Sequence, residues 1–547
     1  MGTTFFAAFI AGDPTARRLL PCDCTDAAAW AQAAARAGRR RVSPALLEEL
    51  RRQSALLPPS AARDRHLEQL AGSDGASVVV TGQQVGLFLG PLYTLHKAAT
   101  AVARARLVSE RTGKPCIPLF WLQTEDQDWA EIARAELLTG AGRQVFELAP
   151  ETPEQKRVSL AQRLLGPEVE AHSAALGALL GPLHHGAEVA ALIARHYQAG
   201  RSPGAAFGGL LAELFAEEGL VVLDPRTKAM ARLGAPVLAR ALASHDAVSA
   251  ALAGRCDALG AAGFGEQVPT RPDASLVFFH PRGPDGPRYR LVRDTKGNQA
   301  GHQAGIQAGD WSTPEGSIAH AALLAKLEED PLCFSTSALL RPLVQDTLLP
   351  TCAYLGGPAE CSYFAQLPPL YTLLGVELPM IAPRARLRVV DEAARSLLAK
   401  LGLAAEDVEQ PREALLARLC GRPAGLPPPA ELRERMLSGL SRELDALEAL
   451  APSLDPALAD PIRKTRESVS GAISRLVERV DKAALGRDQV VAQRLDKLLQ
   501  MLQPDGQPQE RVYAFPPLAA RSGSRALIAA MVQAAAALSP EVRSVLP

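Results

Sequence analysis

Three short segments of the chain concentrate side chains that could hold a charged substrate. The first segment, residues 81–97, contains Thr81, Gly82, Gln83, Gln84, Gly86, Gly90, Tyr93, His96 and Lys97. Its glycines would expose backbone N–H groups at the positive end of a helix dipole, an arrangement that binds phosphates and other anions. His96 and Lys97 could then face a polyphosphate and stabilise the negative charge that develops on it. The alternative is that His96 contacts a neighbouring carbonyl group and Lys97 is solvated.

The second segment is acidic and follows a predicted strand. Glu125, Asp126 and Asp128 come directly after residues 116–122, an apolar run typical of a buried strand. Because open α/β sheets bind ligands at the carboxyl ends of their strands, these carboxylates could hold a substrate ammonium group, a ribose or Mg²⁺. The alternative is a solvated acidic turn that caps a helix starting near Trp129.

The third segment places charged and amide side chains among apolar residues. Its polar and glycine residues are Arg341, Gln345, Asp346, Gly356, Gly357 and Glu360. Arg and Glu side chains are seldom buried unless they are paired or bound to a ligand, so this segment is a candidate binding site. The alternative is a buried Arg341–Asp346 pair that only stabilises the fold.

The elements around these segments predict a parallel sheet. Residues 77–80 form a β-branched run, Pro91 opens a helical pattern that continues to about Arg111, and residues 116–122 form a second strand. Strand, helix and strand make a βαβ unit, and residues 219–225 indicate a third buried strand. Loops after parallel strands emerge at one edge of a sheet, so the three polar segments are predicted to line one cleft.

The remaining sequence predicts three regions. Residues 1–384 are predicted to form an α/β core that carries a helical insertion at about 135–215 and a small antiparallel region at about 260–300. Residues 385–508 are helical and charged, with the spacing of a coiled coil. Residues 509–547 are expected to pack back on the core.

Composition excludes several classes of protein. The chain has 547 residues, 47% of them hydrophobic and 22% charged, which is typical of a globular protein with more than one domain. Lys plus Arg and Asp plus Glu both total 59, so the basic excess of a nucleic-acid binder is absent. The eight cysteines are scattered singly, and neither a signal peptide nor a membrane-spanning segment is recognisable. We expect a cytoplasmic protein without nucleic-acid or membrane partners.

The same segments resemble a known family, the BshC proteins of bacillithiol biosynthesis. The motifs that carry the resemblance are Val79-Val-Thr-Gly-Gln-Gln-Val-Gly-Leu-Phe-Leu-Gly-Pro-Leu-Tyr-Thr-Leu-His-Lys97, Phe120-Trp-Leu-Gln-Thr-Glu-Asp-Gln-Asp128, Leu340-Arg-Pro-Leu-Val-Gln-Asp346, Gly356-Gly-Pro-Ala-Glu360, Pro383-Arg384 and Gln509-Glu-Arg511. They span nearly the full chain in order. Family members commonly have histidine where this chain has Gln127, so no acid or base role for that histidine can be carried over.

The resemblance implies a fold, an activity and partners. The fold is a Rossmann-like core of the nucleotidyltransferase type with helical connecting insertions, followed by a coiled-coil domain that forms a homodimer. The activity is the addition of L-cysteine to the amine of glucosaminyl-malate. Because amide formation from a carboxylate is uphill in water, the cysteine carboxylate must first be activated, and ATP is the expected source. The alternatives are a ligase for another amino acid or amine, and a non-catalytic scaffold that senses a nucleotide.

The coiled-coil pattern predicts a homodimer through residues 385–505. Ile462, Val469 and Leu476 stand seven residues apart, and Ile473 and Val480 each lie four residues after one of them. Since such a stripe left open to water would be an unusual exposed patch, we expect a partner to bury it. Light scattering at micromolar concentration should give the mass of a dimer. A monomeric mass would mean that an intrachain hairpin buries the stripe instead.

The cysteine and histidine spacing predicts a protein without zinc. Cys22 and Cys24 are separated by one residue, no CxxC motif occurs, and no ligand cluster accompanies His184 and His185. Elemental analysis of the purified protein should therefore find no stoichiometric zinc. About one zinc ion per chain, lost together with activity on chelation, would contradict this prediction.

Overall fold

The computed structural model describes residues 4–294, 309–420, 426–485 and 489–547. Its strands are β1 Ser77–Gln83, β2 Cys116–Leu122, β3 Arg134–Thr139, β4 Gly142–Glu147, β5 Val221–Leu223, β6 Ala274–Phe279, β7 Tyr289–Arg293, β8 Trp311–Thr313, β9 Gly316–Ile318, β10 Phe334–Thr336, β11 Thr351–Gly356, β12 Met380–Pro383, β13 Arg386–Val389 and β14 Val542–Val545.

The helices cover most of the remaining described chain. They are α1 Phe5–Ile10, α2 Pro14–Leu19, α3 Ala27–Ala37, α4 Pro44–Ser54, α5 Ala61–Gly72, α6 Tyr93–Thr112, α7 Trp129–Ile132, α8 Glu168–Leu180, α9 Gly186–His196, α10 Pro203–Leu214, α11 Lys228–Ala243, α12 His245–Ala261, α13 His320–Glu329, α14 Arg341–Leu348, α15 Pro358–Phe364, α16 Pro368–Leu373, α17 Glu392–Leu401, α18 Arg412–Cys420, α19 Pro429–Leu454, α20 Ala459–Leu485, α21 Gln489–Leu502, α22 Gln509–Val512, α23 Pro516–Ser522 and α24 Ser524–Ala535. The described chain divides into two compact units, one of residues 1–391 with 509–547 and one of residues 392–508.

The first unit is built on a five-stranded parallel sheet. Its strand order is β12-β11-β1-β2-β5, and every neighbouring pair is parallel. The predicted α/β core is confirmed, and its central strand is β1, the β-branched run after the first 75 residues. Val78 and Val80 point into one apolar cluster and Val79 into another, so both faces of this strand are buried, as in parallel sheets covered by helices.

Two regions of the first unit contain β-strands that the sequence analysis did not predict. The helical insertion at about 135–215 begins with the β3–β4 hairpin, and its helices start only at Glu168. The alternation of buried and exposed residues along β3 is the period-two signal that the prediction missed. The antiparallel region at about 260–300 is part of a five-stranded sheet of order β10-β6-β7-β8-β9 that reaches Thr336. Its residues 295–300 lie outside the described part of the chain.

The C-terminal segment 509–547 belongs to the first unit. Strand β14 pairs in parallel with β13, and Glu510 on α22 connects two elements of the core. The Arg384 guanidinium donates two hydrogen bonds to the Glu510 carboxylate, at 3.0 and 2.6 Å, and His96 Nδ1 lies 2.8 Å from the same carboxylate. Burial acts to raise the pKa of Glu510, but Arg384 and His96 outweigh it and hold that pKa well below its ordinary value.

The second unit is helical, and α19 packs against α20 as a hairpin. Within the single chain, Ile462, Val469, Ile473 and Val480 are half-buried and Leu476 is 49% exposed. Val477 is buried instead, because a helix of 3.6 residues per turn drifts away from a strict seven-residue repeat. The homodimer stays a prediction.

No helix in the described ranges combines the length and the apolar character needed to cross a membrane.

Replacement of Glu510 should destabilise the first unit. Glu510→Gln leaves the buried Arg384 without its ionic partner, and breaking such a pair costs about 3 kcal/mol or more. A carboxylate with a lowered folded-state pKa stabilises the fold above its unfolded pKa and loses this effect as pH falls. Urea unfolding should therefore show a larger difference between variant and unaltered protein at pH 7 than at pH 4. An equal difference at both pH values would contradict the ionic role of Glu510.

Candidate functional site

A cavity of about 460 Å³ opens at the carboxyl edge of the parallel sheet. Residues from all three predicted segments line it: Gln83, Gln84, Tyr93 and Lys97 from the first, Glu125 and Asp126 from the second, and Arg341, Gly357 and Glu360 from the third, together with Arg384. The strand ends meet here because β1, β2 and β11 run in the same direction.

The Lys97 ammonium group lies at the centre of this edge. It forms an ion pair with Glu360 and donates hydrogen bonds to Gly82 O at 2.7 Å and Gln83 Oε1 at 2.8 Å. Burial lowers the pKa of Lys97, and the Glu360 carboxylate opposes that effect. Burial acts to raise the pKa of Glu360, but Lys97 and the Gly357 N–H outweigh it, so this pKa is lowered. Lys97 is therefore a buried cation at the cavity wall, not a solvated surface residue.

Helix α14 carries a chain of buried polar groups from the cavity into the core. Arg341 donates to Gln345 Oε1 at 2.8 Å, Gln345 Nε2 donates to Asp346 Oδ1 at 2.8 Å, and Tyr371 donates to the other Asp346 oxygen. Arg341 lines the cavity, whereas Gln345 and Asp346 do not. Arg341 and Asp346 therefore do not form the direct pair of the alternative prediction. Gln345 bridges them by hydrogen bonds. Gln345 contacts Arg341 and Asp346 contacts Gln345, and ligand binding by these two residues stays a prediction.

The acidic segment divides between the cavity and a helix cap. Glu125 accepts a hydrogen bond from Thr336 Oγ1 at 2.6 Å, and Asp126 accepts one from Gln84 Nε2 at 3.0 Å. Asp128 lies outside the cavity lining and accepts from the Glu131 N–H at 3.1 Å as the N-cap of α7. The helix-capping alternative therefore describes Asp128, while Glu125 and Asp126 face the cavity.

Several N–H groups of the glycine loop are already bound to protein acceptors, so anion binding by this loop stays a prediction. The N–H groups of Gly86, Leu89, Gly90 and Leu92 donate to protein acceptors, including Tyr197 Oη and Tyr513 O. Thr81 Oγ1 donates to Leu355 O across the sheet. Gly90 has a φ of +63°, a conformation that favours glycine and turns the chain into α6. These residues shape the backbone beneath the cavity, and Gly356 does the same on β11, where an added Cβ would lie 2.8 Å from Glu360 Cβ.

His96 faces the protein interior and not a ligand. The side chain is fully buried, its Nδ1 contacts Glu510, and it is not part of the cavity lining. Burial lowers the pKa of His96, with Glu510 opposing. This position does not agree with the expectation that His96 faces a polyphosphate. His96 and Lys97 are neighbours on α6, and neighbouring side chains of a helix point in different directions. The His96 side chain therefore points into the core while Lys97 lines the cavity.

The cavity carries both signs of charge. Its cationic side chains are Lys97, Arg288, Arg290, Arg341, Arg384 and Arg511, and its anionic side chains are Glu125, Asp126, Glu131 and Glu360. Within the described residues, no group of three or more His, Cys, Asp or Glu is arranged to hold a metal ion. The absence of zinc from the purified protein stays a prediction.

Comparison with known proteins identifies the family. Residues 2–385 match the model of the bacillithiol biosynthesis BshC N-terminal Rossmann-like domain, and residues 387–542 match the BshC C-terminal coiled-coil domain. The chain belongs to the BshC family. The predicted family, the fold class and the assignment as a ligase of bacillithiol biosynthesis are confirmed.

Three curated relatives share the name "Putative cysteine ligase BshC". The Solibacter usitatus protein is 33% identical over 487 residues, 88% of this chain and 85% of the relative. The Koribacter versatilis protein is 33% identical over 443 residues, 80% and 78% of the two chains. The Salinibacter ruber protein is 32% identical over 447 residues, 82% and 78% of the two chains.

Several cavity residues were missed by sequence reasoning. Arg288 donates to Ser335 Oγ and Thr336 O at 2.9 and 2.5 Å and lies over the Phe278 ring, 3.9 Å from its centroid. Arg288 directly precedes strand β7. The local sequence does not show that β7 lies beside the parallel sheet. Arg511 lies in the Gln509-Glu-Arg511 motif, which did carry a signal through the family resemblance.

Asp126→Asn should lower turnover without unfolding the protein. The substitution keeps the size of the side chain but removes the negative charge that faces the cavity, so we expect at least a roughly tenfold lower kcat/KM and little change in Tm. Asp257→Asn, an exposed position on α12, is the matched control. Unchanged turnover per folded molecule, or a fall in Tm that accounts for the lost activity, would contradict a role for Asp126 in the cavity.

Proposed function

We propose that this protein joins the carboxyl group of L-cysteine to the glucosamine amine of glucosaminyl-malate, the last step of bacillithiol biosynthesis. The observation that carries the proposal is one cavity, at the carboxyl edge of the family's Rossmann-like sheet, whose wall presents both cations and carboxylates. Both substrates carry charges of both signs, since cysteine is a zwitterion and glucosaminyl-malate combines two carboxylates with an amine.

The cysteine carboxylate needs activation because a carboxylate and an amine do not condense spontaneously in water. In one route, a carboxylate oxygen attacks the α-phosphorus of ATP and pyrophosphate leaves. In the other route, it attacks the γ-phosphorus and ADP leaves. In both, the sugar amine then attacks the acyl carbon, the phosphate-bearing group leaves with the bonding electron pair, and the amine proton passes to a base.

The cationic residues suit a polyphosphate and the malate carboxylates. Arg290 and Arg511 are exposed at the cavity and have no acidic partner within 4 Å in the described residues. Arg384 and Lys97 are buried and already paired with Glu510 and Glu360. The two exposed guanidinium groups are therefore available to bind a phosphate or carboxylate bidentately. Nucleotide binding here would rest on side chains and not on the glycine loop.

Glu131 is the best placed proton acceptor for the amine. It lines the cavity and accepts a hydrogen bond from Gln83 Nε2 at 3.3 Å. Partial desolvation, with smaller contributions from the Asp128 and Asp126 carboxylates, raises the pKa of Glu131. A carboxylate with a raised pKa is a stronger base, which suits the removal of a proton as the amide forms. Asp126 is already paired with Arg288 at 3.4 Å, so Glu125 remains to hold an ammonium group.

The reaction can be tested with purified protein and defined substrates. Mass spectrometry should detect bacillithiol after incubation with L-cysteine, glucosaminyl-malate and ATP, and no product without the nucleotide. Release of AMP would indicate an adenylate, and release of ADP would indicate an acyl phosphate. Glu131→Gln should lower kcat at least roughly tenfold with a smaller effect on KM. Product from another amino acid but not from cysteine would overturn the proposal.

A further inference from the structure

A small side pocket of about 30 Å³ lies beside the main cavity. The two share part of their lining, namely Trp121, Glu125, Pro225, Thr336 and Arg341. The walls beyond these shared residues are mostly apolar and come from Met230, Gly234 and Leu238 on α11, Val344 on α14, and Phe334 on β10. The space corresponds to about two water-sized groups, since one water needs roughly 10–15 Å³.

Two buried donors line this side pocket without acceptors in the described residues. The Trp121 side chain is 1% exposed, and its Nε1–H has no hydrogen-bond partner. Arg226 is 7% exposed; its two terminal nitrogens contact Phe334 O and His280 Nε2, but its Nε–H has no partner. Unsatisfied buried donors are costly, so two of them at one small pocket indicate an acceptor supplied by a ligand.

We infer that the side pocket binds the thiol group of the amino-acid substrate. This inference rests on the proposed function, because it requires that an amino acid enters the main cavity. A methylene and a sulfur match the size of the pocket, and the sulfur lone pairs can accept from the two N–H groups. Burying the weak S–H donor without an acceptor costs little free energy. A serine hydroxyl is a stronger donor, and burying it without a partner would cost more.

The shared lining also orients the rest of the amino acid. Glu125 lines both spaces and can pair with the substrate ammonium group, while Arg341 also lines both and can pair with the carboxylate. The side chain would then point into the side pocket and the carboxylate would face the main cavity. Selection of cysteine in this arrangement uses shape and two hydrogen bonds and needs no metal.

One test removes a donor and compares two substrates of similar size, so that the enlargement of the pocket affects both. The ratio of kcat/KM for cysteine to that for 2-aminobutyrate, which has a methyl group in place of the thiol, measures recognition of sulfur. Trp121→Phe should lower this ratio roughly three- to tenfold, the range expected for one lost hydrogen bond. Trp129→Phe is the matched control, since Trp129 donates to Ala149 O outside both spaces.

A second test fills the side pocket. Gly234→Ala adds a methyl group 3.1 Å from Val344 Cγ1, which narrows the side pocket that both residues line. The KM for cysteine should rise at least roughly tenfold while the KM for the amine substrate stays within twofold, as expected when only one substrate loses binding. Gly254→Ala, a helical position where nothing lies within 4 Å of the added Cβ, is the control for the substitution itself.

The outcomes separate the two proposals. Ligation of cysteine by the unaltered protein, with an unchanged selectivity ratio in Trp121→Phe and an unchanged cysteine KM in Gly234→Ala, would overturn the side-pocket assignment alone. If Trp121→Phe fails to fold, the Gly234→Ala result decides. Absence of cysteine ligation by the unaltered protein would overturn the proposed function and the side-pocket assignment with it.

Discussion

The buried ion pair between Lys97 and Glu360 is the interaction on which the cavity depends. Lys97 comes from the first turns of α6, Gly82 O from the end of β1, and Glu360 from the first turn of α15 after β11. The pair therefore joins the connections that follow two neighbouring strands. Removing either partner would leave an uncompensated charge in the interior, which costs about 3–5 kcal/mol. The same pair keeps the Lys97 ammonium group buried at the cavity wall.

A second buried ion pair, between Arg384 and Glu510, stabilises the cavity lining at Arg384. Glu510 accepts two hydrogen bonds from Arg384 and one contact from His96, so the C-terminal segment is joined to helix α6 and to the end of β12. Arg384 thus reaches the cavity with its charge already compensated. Arg511, the next residue after Glu510, remains exposed at the cavity. The structure separates cations that build the wall from cations that remain available to a ligand.

Sequence reasoning predicted the features that depend on local pattern and on sheet topology. The β-branched run of β1 and the apolar run of β2 were sufficient to predict a parallel pair and a cavity at its carboxyl edge. The roles of individual residues depend on distant partners and could not be read locally. His96 and Glu510 are 414 residues apart, and only that pairing shows that His96 belongs to the interior. Likewise, Leu476 and Val477 are both apolar neighbours, and only the packed helix decides which one is buried.

Under the proposed function, the two spaces at the sheet edge would treat the substrates differently. The main cavity is large and charged, which suits polar substrates. The side pocket is small and mostly apolar, and Glu125 and Arg341 line both spaces. A small apolar pocket alone discriminates weakly among side chains that differ by one group, by about 1–3 kcal/mol. Charged groups at the junction add orientation to that selection, because only an amino acid that places its ammonium and carboxylate correctly can direct its side chain inward. Selectivity for the side chain and positioning of the reactive carboxylate are then consequences of the same few contacts.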